Sequence, residues 1–206
     1  MTDYDTATEA VWIQDALDGD DLAFTRLVEA YQRPVFNLCY RMLGDPLEAE
    51  DASQESFLRA HRHLRRYDPE RKFATWMLSI ASHHCIDRLR RRRLNVVSME
   101  ELLPAQENPH PDPGPEDRFV RLEMQEQVKG MLASLGPVDR AALILLYWYD
   151  YSYEEISSTL SLSVSAVKSR LHRARRDLAA SWQVKQQGLV QGGVKNGPSA
   201  VRSDAA

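Results

Sequence analysis

Cysteine occurs only twice, at Cys39 and Cys85, in neither a CxxC spacing nor a paired Cys/His set. That excludes a disulfide framework and leaves two buried thiols of the ordinary kind as the expectation. Glycine is scarce, at 9 of 206 residues, and there is no glycine-rich phosphate loop, nucleophile elbow or HExxH stretch. Enzymatic chemistry therefore has no visible seat, and no cofactor is expected. Adjacent His83 and His84 would point about 100° apart on a helix and could not easily share one ion, so no metal site is expected either. No apolar run approaches the ~18 residues needed to span a bilayer. The opening "MTDYDTATEAVW" is acidic and lacks both the basic start and the apolar stretch of a signal peptide. These absences together predict a cytoplasmic protein with no membrane insertion.

What is present is helical patterning in two blocks. Between them, residues 95–117 ("NVVSMEELLPAQENPHPDPGPED") hold five of the ten prolines and six acidic residues, but no Lys or Arg. Proline is excluded from helix interiors and biases its predecessor toward extended backbone, so this stretch reads as a flexible acidic linker. It separates a module at 10–94 from one at 118–182. The Gly/Gln/Ser-rich residues 183–206 read as a disordered tail. In the first module Leu22, Leu27, Val28, Tyr31, Val35, Leu38 and Met42 recur at helical spacing, with Pro34 marking a kink or break. In the next segment Ala52, Phe57, Ala60 and Leu64 form an apolar stripe beside an acidic face. No stretch alternates with period two for long enough to make a strand. The fold class is all-α, in two small helical domains.

The segment "SYEEISSTLSLSVSAVKSRLHRARRDL", residues 152–178, carries the clearest chemistry. Ser152 with Glu155 fits a capping box, and Ile156 and Leu160 give a short helix one buried face. A corner at Ser161–Ser163 follows, with Ser163 placed to cap the next helix. There Val164, Val167, Leu171, Ala174 and Leu178 form an apolar stripe. The opposite side holds Ser165, Ser169, His172, Arg173 and Arg176, flanked by Lys168, Arg170 and Arg175. Small polar residues near the N-terminal end suit base edges, and arginines further along suit phosphates. A solvated face on a bundle helix would explain the charge but not the capped short helix and compact corner. A helix-turn-helix explains all three.

The first module ends in "KFATWMLSIASHHCIDRLRRRR", with five arginines in the six residues 88–93. Aromatic surfaces followed by cations are what melted, unstacked DNA requires. Taken singly, Phe73 and Trp76 fit core positions better. The arginine cluster favours a phosphate partner, because adjacent cations repel one another without one.

In this order, these stretches resemble the sigma-70 family of bacterial transcription initiation factors, in its extracytoplasmic-function (ECF) branch. The others that carry the resemblance are "LVEAYQRPVFNLCYRMLGD", "EAEDASQESFLRAHRHL" and "LASLGPVDRAALILLYWYDYSYEE". The resemblance implies sigma domain two, which docks on core RNA polymerase and opens the −10 element, and sigma domain four, which reads the −35 element. It implies polymerase contact through the β′ clamp coiled coil and the β flap, promoter DNA as a second partner, and an anti-sigma factor as a third. By resemblance, Asp51, Gln54, Glu55 and Arg59 bind the coiled coil. Trp76, His83, Arg88, Arg90, Arg91, Arg92 and Arg93 serve the −10 element, with His83 standing where the family often has Asn. Ser165, Lys168, Ser169, Arg170, His172, Arg173, Arg175 and Arg176 serve the −35 element. Ser165 and Ala166 replace a commoner Gly-Thr pair, and Ser161 replaces a usual turn glycine.

The formal net charge of −4 is at odds with a free-standing DNA-binding protein. It fits a factor delivered by a large polymerase, because acidic surface elsewhere weakens solitary binding to DNA. The competing reading is an autonomous helix-turn-helix regulator. It accounts for the second module and leaves the acidic and arginine-ended helices of the first unused.

Overall fold

A computed structural model describes residues 6–96 and 115–192, and among them the regular structure is helical throughout. The helices are α1 (Thr6–Leu17), α2 (Asp21–Leu43), α3 (Pro46–His63), α4 (Phe73–Val96), α5 (Pro115–Ser134), α6 (Pro137–Trp148), α7 (Tyr153–Leu160) and α8 (Val164–Gly192). A single 3₁₀ turn, Leu64–Arg66, follows α3. Local chemistry sets the starts and stops. Asp20 accepts from the Leu22 N–H at 2.8 Å to open α2, and Asp45 accepts from the Glu48 N–H at 2.8 Å to open α3. Between those helices Gly44 takes φ 81°, and its N–H closes α2 on the Tyr40 carbonyl at 2.8 Å. A side chain there would pay the left-handed penalty, so the α2–α3 corner depends on glycine.

Helices α2, α3 and α4 pack together with α1 against α2, and α6, α7 and α8 form the second group. The patterned residues Leu27, Tyr31, Val35, Leu38 and Met42 are buried as the spacing predicts, but Leu22 is 71% exposed. It lies in the first turn of α2, where no neighbouring helix covers it. Pro34 neither breaks nor ends α2, which runs through it. Ala52, Ala60 and Leu64 are buried and Phe57 is half-buried, so the α3 stripe holds. Both cysteines are free and buried, and a hydrogen bond between them together with burial pushes the Cys39 thiol up.

The linker expected at 95–117 is trimmed at both ends, because α4 reaches Val96 and α5 begins at Pro115. Its remaining acidic and proline-rich part lies outside the described residues. The tail expected from residue 183 is helical in its described part. Helix α8 continues to Gly192, since "SWQVKQQ" contains no proline and is built largely of tolerable helix formers. The rest of the expected tail is outside the described residues.

Candidate nucleic-acid interface

The α7–α8 corner is built as its residues dictate. The Ser152 hydroxyl accepts from the Glu155 N–H at 3.1 Å while the Glu155 carboxylate accepts from the Ser152 N–H at 2.9 Å, completing a capping box. Ile156, Thr159 and Leu160 are buried. Ser161 then turns the chain with φ 54° and ψ 46°, the left-handed conformation that costs a non-glycine residue about 1–2 kcal/mol. Ser161→Gly is therefore expected to stabilise the fold by about 1 kcal/mol, a rise of about 2–4 °C in Tm. A thermal melt of the variant beside the parent checks this.

Ser163 accepts from the Ala166 N–H at 3.2 Å and so caps α8. Val167, Leu171 and Ala174 are buried, which turns the opposite face to solvent. On that face Ser165, Ser169, His172, Arg173 and Arg176 are exposed, as are the flanking Lys168 and Arg175. The Ser165 hydroxyl lies 3.0 Å from that of Ser163, and the Ser169 hydroxyl donates to the Ser165 carbonyl at 3.0 Å. Arg175 donates through Nε to the Tyr147 hydroxyl at 3.0 Å, with its guanidinium 5.8 Å from the same ring. Those contacts, the Tyr147 hydrogen bond first, hold its pKa up. Lys168 sits 5.9 Å over the Tyr153 ring.

Arg170 behaves differently from the rest of the set. It is half-buried and donates to Asp139 on α6 at 2.7 Å, while Arg173 reaches the other oxygen of the same carboxylate at 3.8 Å. Asp139 is only 17% exposed, so the Arg170 pair belongs to the fold of the corner. Sequence reasoning missed both Asp139 and Tyr147, which preset the arginines of α8. Neither carries a local signal, because each acts across about thirty residues of chain.

On α4, His83 is exposed, its Nδ1 2.8 Å from the Ser79 carbonyl. His84, half-buried, is pushed down from the usual histidine value by burial and then by the charge of Arg59, so it is neutral at pH 7. Phe73 is core at 2% exposure. Trp76 is half-buried, with its ring 5.3 Å from Tyr67 and 5.5 Å from Phe73, so part of its surface is spent on packing.

The arginine cluster is more neutralised than its sequence predicts. Arg92 pairs with Glu48 at 2.9 Å, Arg88 lies 3.8 Å from Asp51, and Arg90 lies 3.7 Å from Asp87. Arg93 donates to the Leu135 carbonyl at 3.3 Å. Part of the charge that favours a phosphate partner is thus offset within the chain, because α3 supplies Glu48 and Asp51 from upstream. Arg91 is exposed.

On α3 itself, Asp51 and Gln54 are exposed, and Glu55 accepts from Arg59 at 2.7 Å. That hydrogen bond holds the Glu55 carboxyl below its ordinary range. The acidic side chains of α3 and the basic ones of α4 therefore form one surface of alternating sign along the shared edge of the two helices.

Family models for sigma-70 region 2 and sigma-70 region 4 match residues 27–94 and 125–178. The ECF RNA polymerase sigma factor SigW of Bacillus subtilis is 35% identical over 172 residues, covering 81% of this chain and 92% of the relative. Among solved structures, CnrH in complex with the cytosolic domain of CnrY aligns with a TM-score of 0.63 at 26% identity, covering 86% of this chain and 98% of that one. The sigma factor RpoE of Bartonella quintana, solved with the anti-sigma factor NepR, shares the fold at TM-score 0.61 and 20% identity, covering 78% of this chain and 97% of that one. The helix-turn-helix, the acidic helix and the arginine-ended helix thus occur here in the order and arrangement of known initiation factors, and the chain belongs to the extracytoplasmic-function branch of the sigma-70 family.

Proposed function

We propose that three surfaces divide the work of directing core RNA polymerase to promoters. The exposed face of α8, through Ser165, Ser169, His172, Arg173 and Arg176 with Lys168 and Arg175 at its flanks, reads the −35 element. Trp76, His83 and the Arg88–Arg93 cluster of α4 engage the −10 element as it melts. Asp51, Gln54, Glu55 and Arg59 of α3 dock on the β′ clamp coiled coil, and the second domain meets the β flap. In this reading residues 10–94 act as sigma domain two and 118–182 as sigma domain four. An anti-sigma factor is a natural third partner, as for the sigma factor solved with NepR. The protein works in the cytoplasm as a non-enzymatic initiation factor.

The observation that carries this reading is the combination of a capped helix-turn-helix having an exposed polar and basic face with a separate acidic helix in the same chain. A repressor that binds DNA alone uses the first and has no need of the second. A gel shift on promoter DNA separates the two. The chain alone is expected to give at most weak, salt-sensitive binding, and addition of core polymerase is expected to give a discrete, sequence-dependent complex. Tight specific binding without polymerase would favour the autonomous regulator.

A further inference from the structure

A cleft of about 510 Å³ lies where the end of α4 meets the start of α6, within the range of about 300–1,000 Å³ that holds small molecules. Its cations are Arg90 and Arg93 of α4 and Arg170 of α8. Leu94, exposed, and Pro137 and Val138 at the start of α6 supply an apolar wall. Among the described residues the acid in its lining is Asp139, and Arg170 already engages it at 2.7 Å. Arg90 has only a long, exposed contact with Asp87, at 3.7 Å, which holds it weakly.

Arg93 is not neutralised by its neighbours. It donates to the Leu135 carbonyl at 3.3 Å. Arg140, buried on α6, likewise donates to main-chain carbonyls, those of Met42 at the end of α2 and, at 2.8 Å, Ala133 at the end of α5. Carbonyls satisfy N–H groups but leave the net charge in place. Burial pushes the Arg140 pKa down to about 10, and the charge of Arg93 pushes the same way, so the two guanidiniums feel one another. Like charges answered by dipoles alone favour an anion nearby. The start of α6 adds to the same field. Its N-cap is Gly136, which has no side chain to accept from the first turn, and Pro137 follows it. The positive end of that helix therefore has no side-chain cap at the cleft.

Three arginines suit an anion with several oxygens, since the guanidinium fork matches phosphate. A bare phosphate has no use for the apolar wall of Leu94, Pro137 and Val138. A flat base attached to the phosphates does, and Arg90 can stack on it. We propose that this cleft binds a nucleotide carrying at least two phosphates, with Arg90, Arg93, Arg170 and the start of α6 on the phosphates and the apolar wall against the base. A bound nucleotide takes up arginines that the functional reading gives to promoter DNA, so it competes with promoter for them. That consequence rests on the functional reading, whereas the binding itself does not.

The test is isothermal titration calorimetry of the full chain, without polymerase or DNA, using ADP, pyrophosphate and adenosine as probes. ADP is expected to bind saturably at one site per chain, pyrophosphate about 10-fold more weakly, and adenosine at least 100-fold more weakly. Arg93→Ala should weaken ADP binding by about 10-fold or more. Val138→Glu sets a carboxylate into the apolar wall and should do the same, while glutamate suits the first turn of a helix and leaves α6 intact. Circular dichroism checks both folds, and Arg90→Ala, at an exposed position, gives the same reading if either variant unfolds. Arg65→Ala, an exposed arginine of the 3₁₀ turn outside the cleft, should leave the affinity unchanged. No saturable ADP binding would overturn the proposal. So would equal losses in Arg65→Ala and Arg93→Ala, which would mean diffuse attraction of polyanions, or pyrophosphate binding as tight as ADP, which would remove the base from the site. A chain that binds ADP but does not direct polymerase keeps the site and loses the functional reading, and the opposite pair of results does the reverse.

Discussion

Replacing Asp51 and Glu55 together by lysine is expected to weaken binding to core polymerase by about 100-fold or more while leaving helix content unchanged. Asp51 is 71% exposed and its only described ion pair, with Arg88, is long at 3.8 Å, so its loss costs the fold little. Glu55 gives up a 2.7 Å pair with Arg59 on the same helix, again at the surface. At an interface the same changes set like charges against one another, which costs several kcal/mol, and about 2.7 kcal/mol already gives 100-fold. The measurement is a fluorescence titration with core polymerase, accompanied by circular dichroism. Unchanged affinity would remove α3 from the docking surface.

Within α8, reading and holding should separate. Ser169 and His172 lie opposite the buried stripe of Val167, Leu171 and Ala174, on the side that would enter a groove. Changing either is expected to alter the preferred −35 sequence by about 1–3 kcal/mol at one base pair. Arg175 is set at the flank and oriented by Tyr147. Arg175→Ala should lower affinity for every −35 variant by a similar factor and reduce the salt slope by about one. Holoenzyme competition over a randomised −35 library distinguishes the cases. If Arg175→Ala reshapes the preferred motif while Ser169 and His172 changes only scale it, the faces have been exchanged.

Arg170 illustrates where sequence reasoning ends. Its position at the flank of α8 matches that of Arg175, and spacing alone gives both the same role. Asp139 makes the difference, 31 residues earlier in the chain. The same limit applies to the Arg88–Arg93 cluster, whose partners Glu48 and Asp51 sit on another helix. Local features were legible because their physics is local. The capping box at Ser152 and Glu155, the Ser163 cap and the α8 stripe each follow from residues within one or two turns. Pro34 does not break α2, for a related reason. A missing N–H weakens a helix, but burial of Tyr31, Val35 and Leu38 on either side keeps α2 continuous. Arg140 and Tyr149, which join the domains, looked like ordinary members of a helical segment until the carbonyls of Met42 and Pro34 were placed beside them.

The depressed pKa of Glu155 bears on the same contact. Its hydrogen bond with Lys72, then the Ser152 N–H, favours the carboxylate. A carboxyl with a lowered folded pKa contributes stability that is complete above its unfolded value near 4.5 and is lost as pH falls through the folded one. The α7 cap and the bridge to α4 are therefore intact at neutral pH and weaken together in acid.

The central claim is that this chain selects promoters for core RNA polymerase. Run-off transcription on a set of bacterial genomic fragments, with purified core polymerase and with or without the chain, tests it most directly. The account predicts transcripts with discrete start sites that appear only when the chain is present, from fragments sharing paired upstream elements about 25 base pairs apart. Identical transcript patterns with and without the chain, from a preparation shown to bind polymerase, would contradict it.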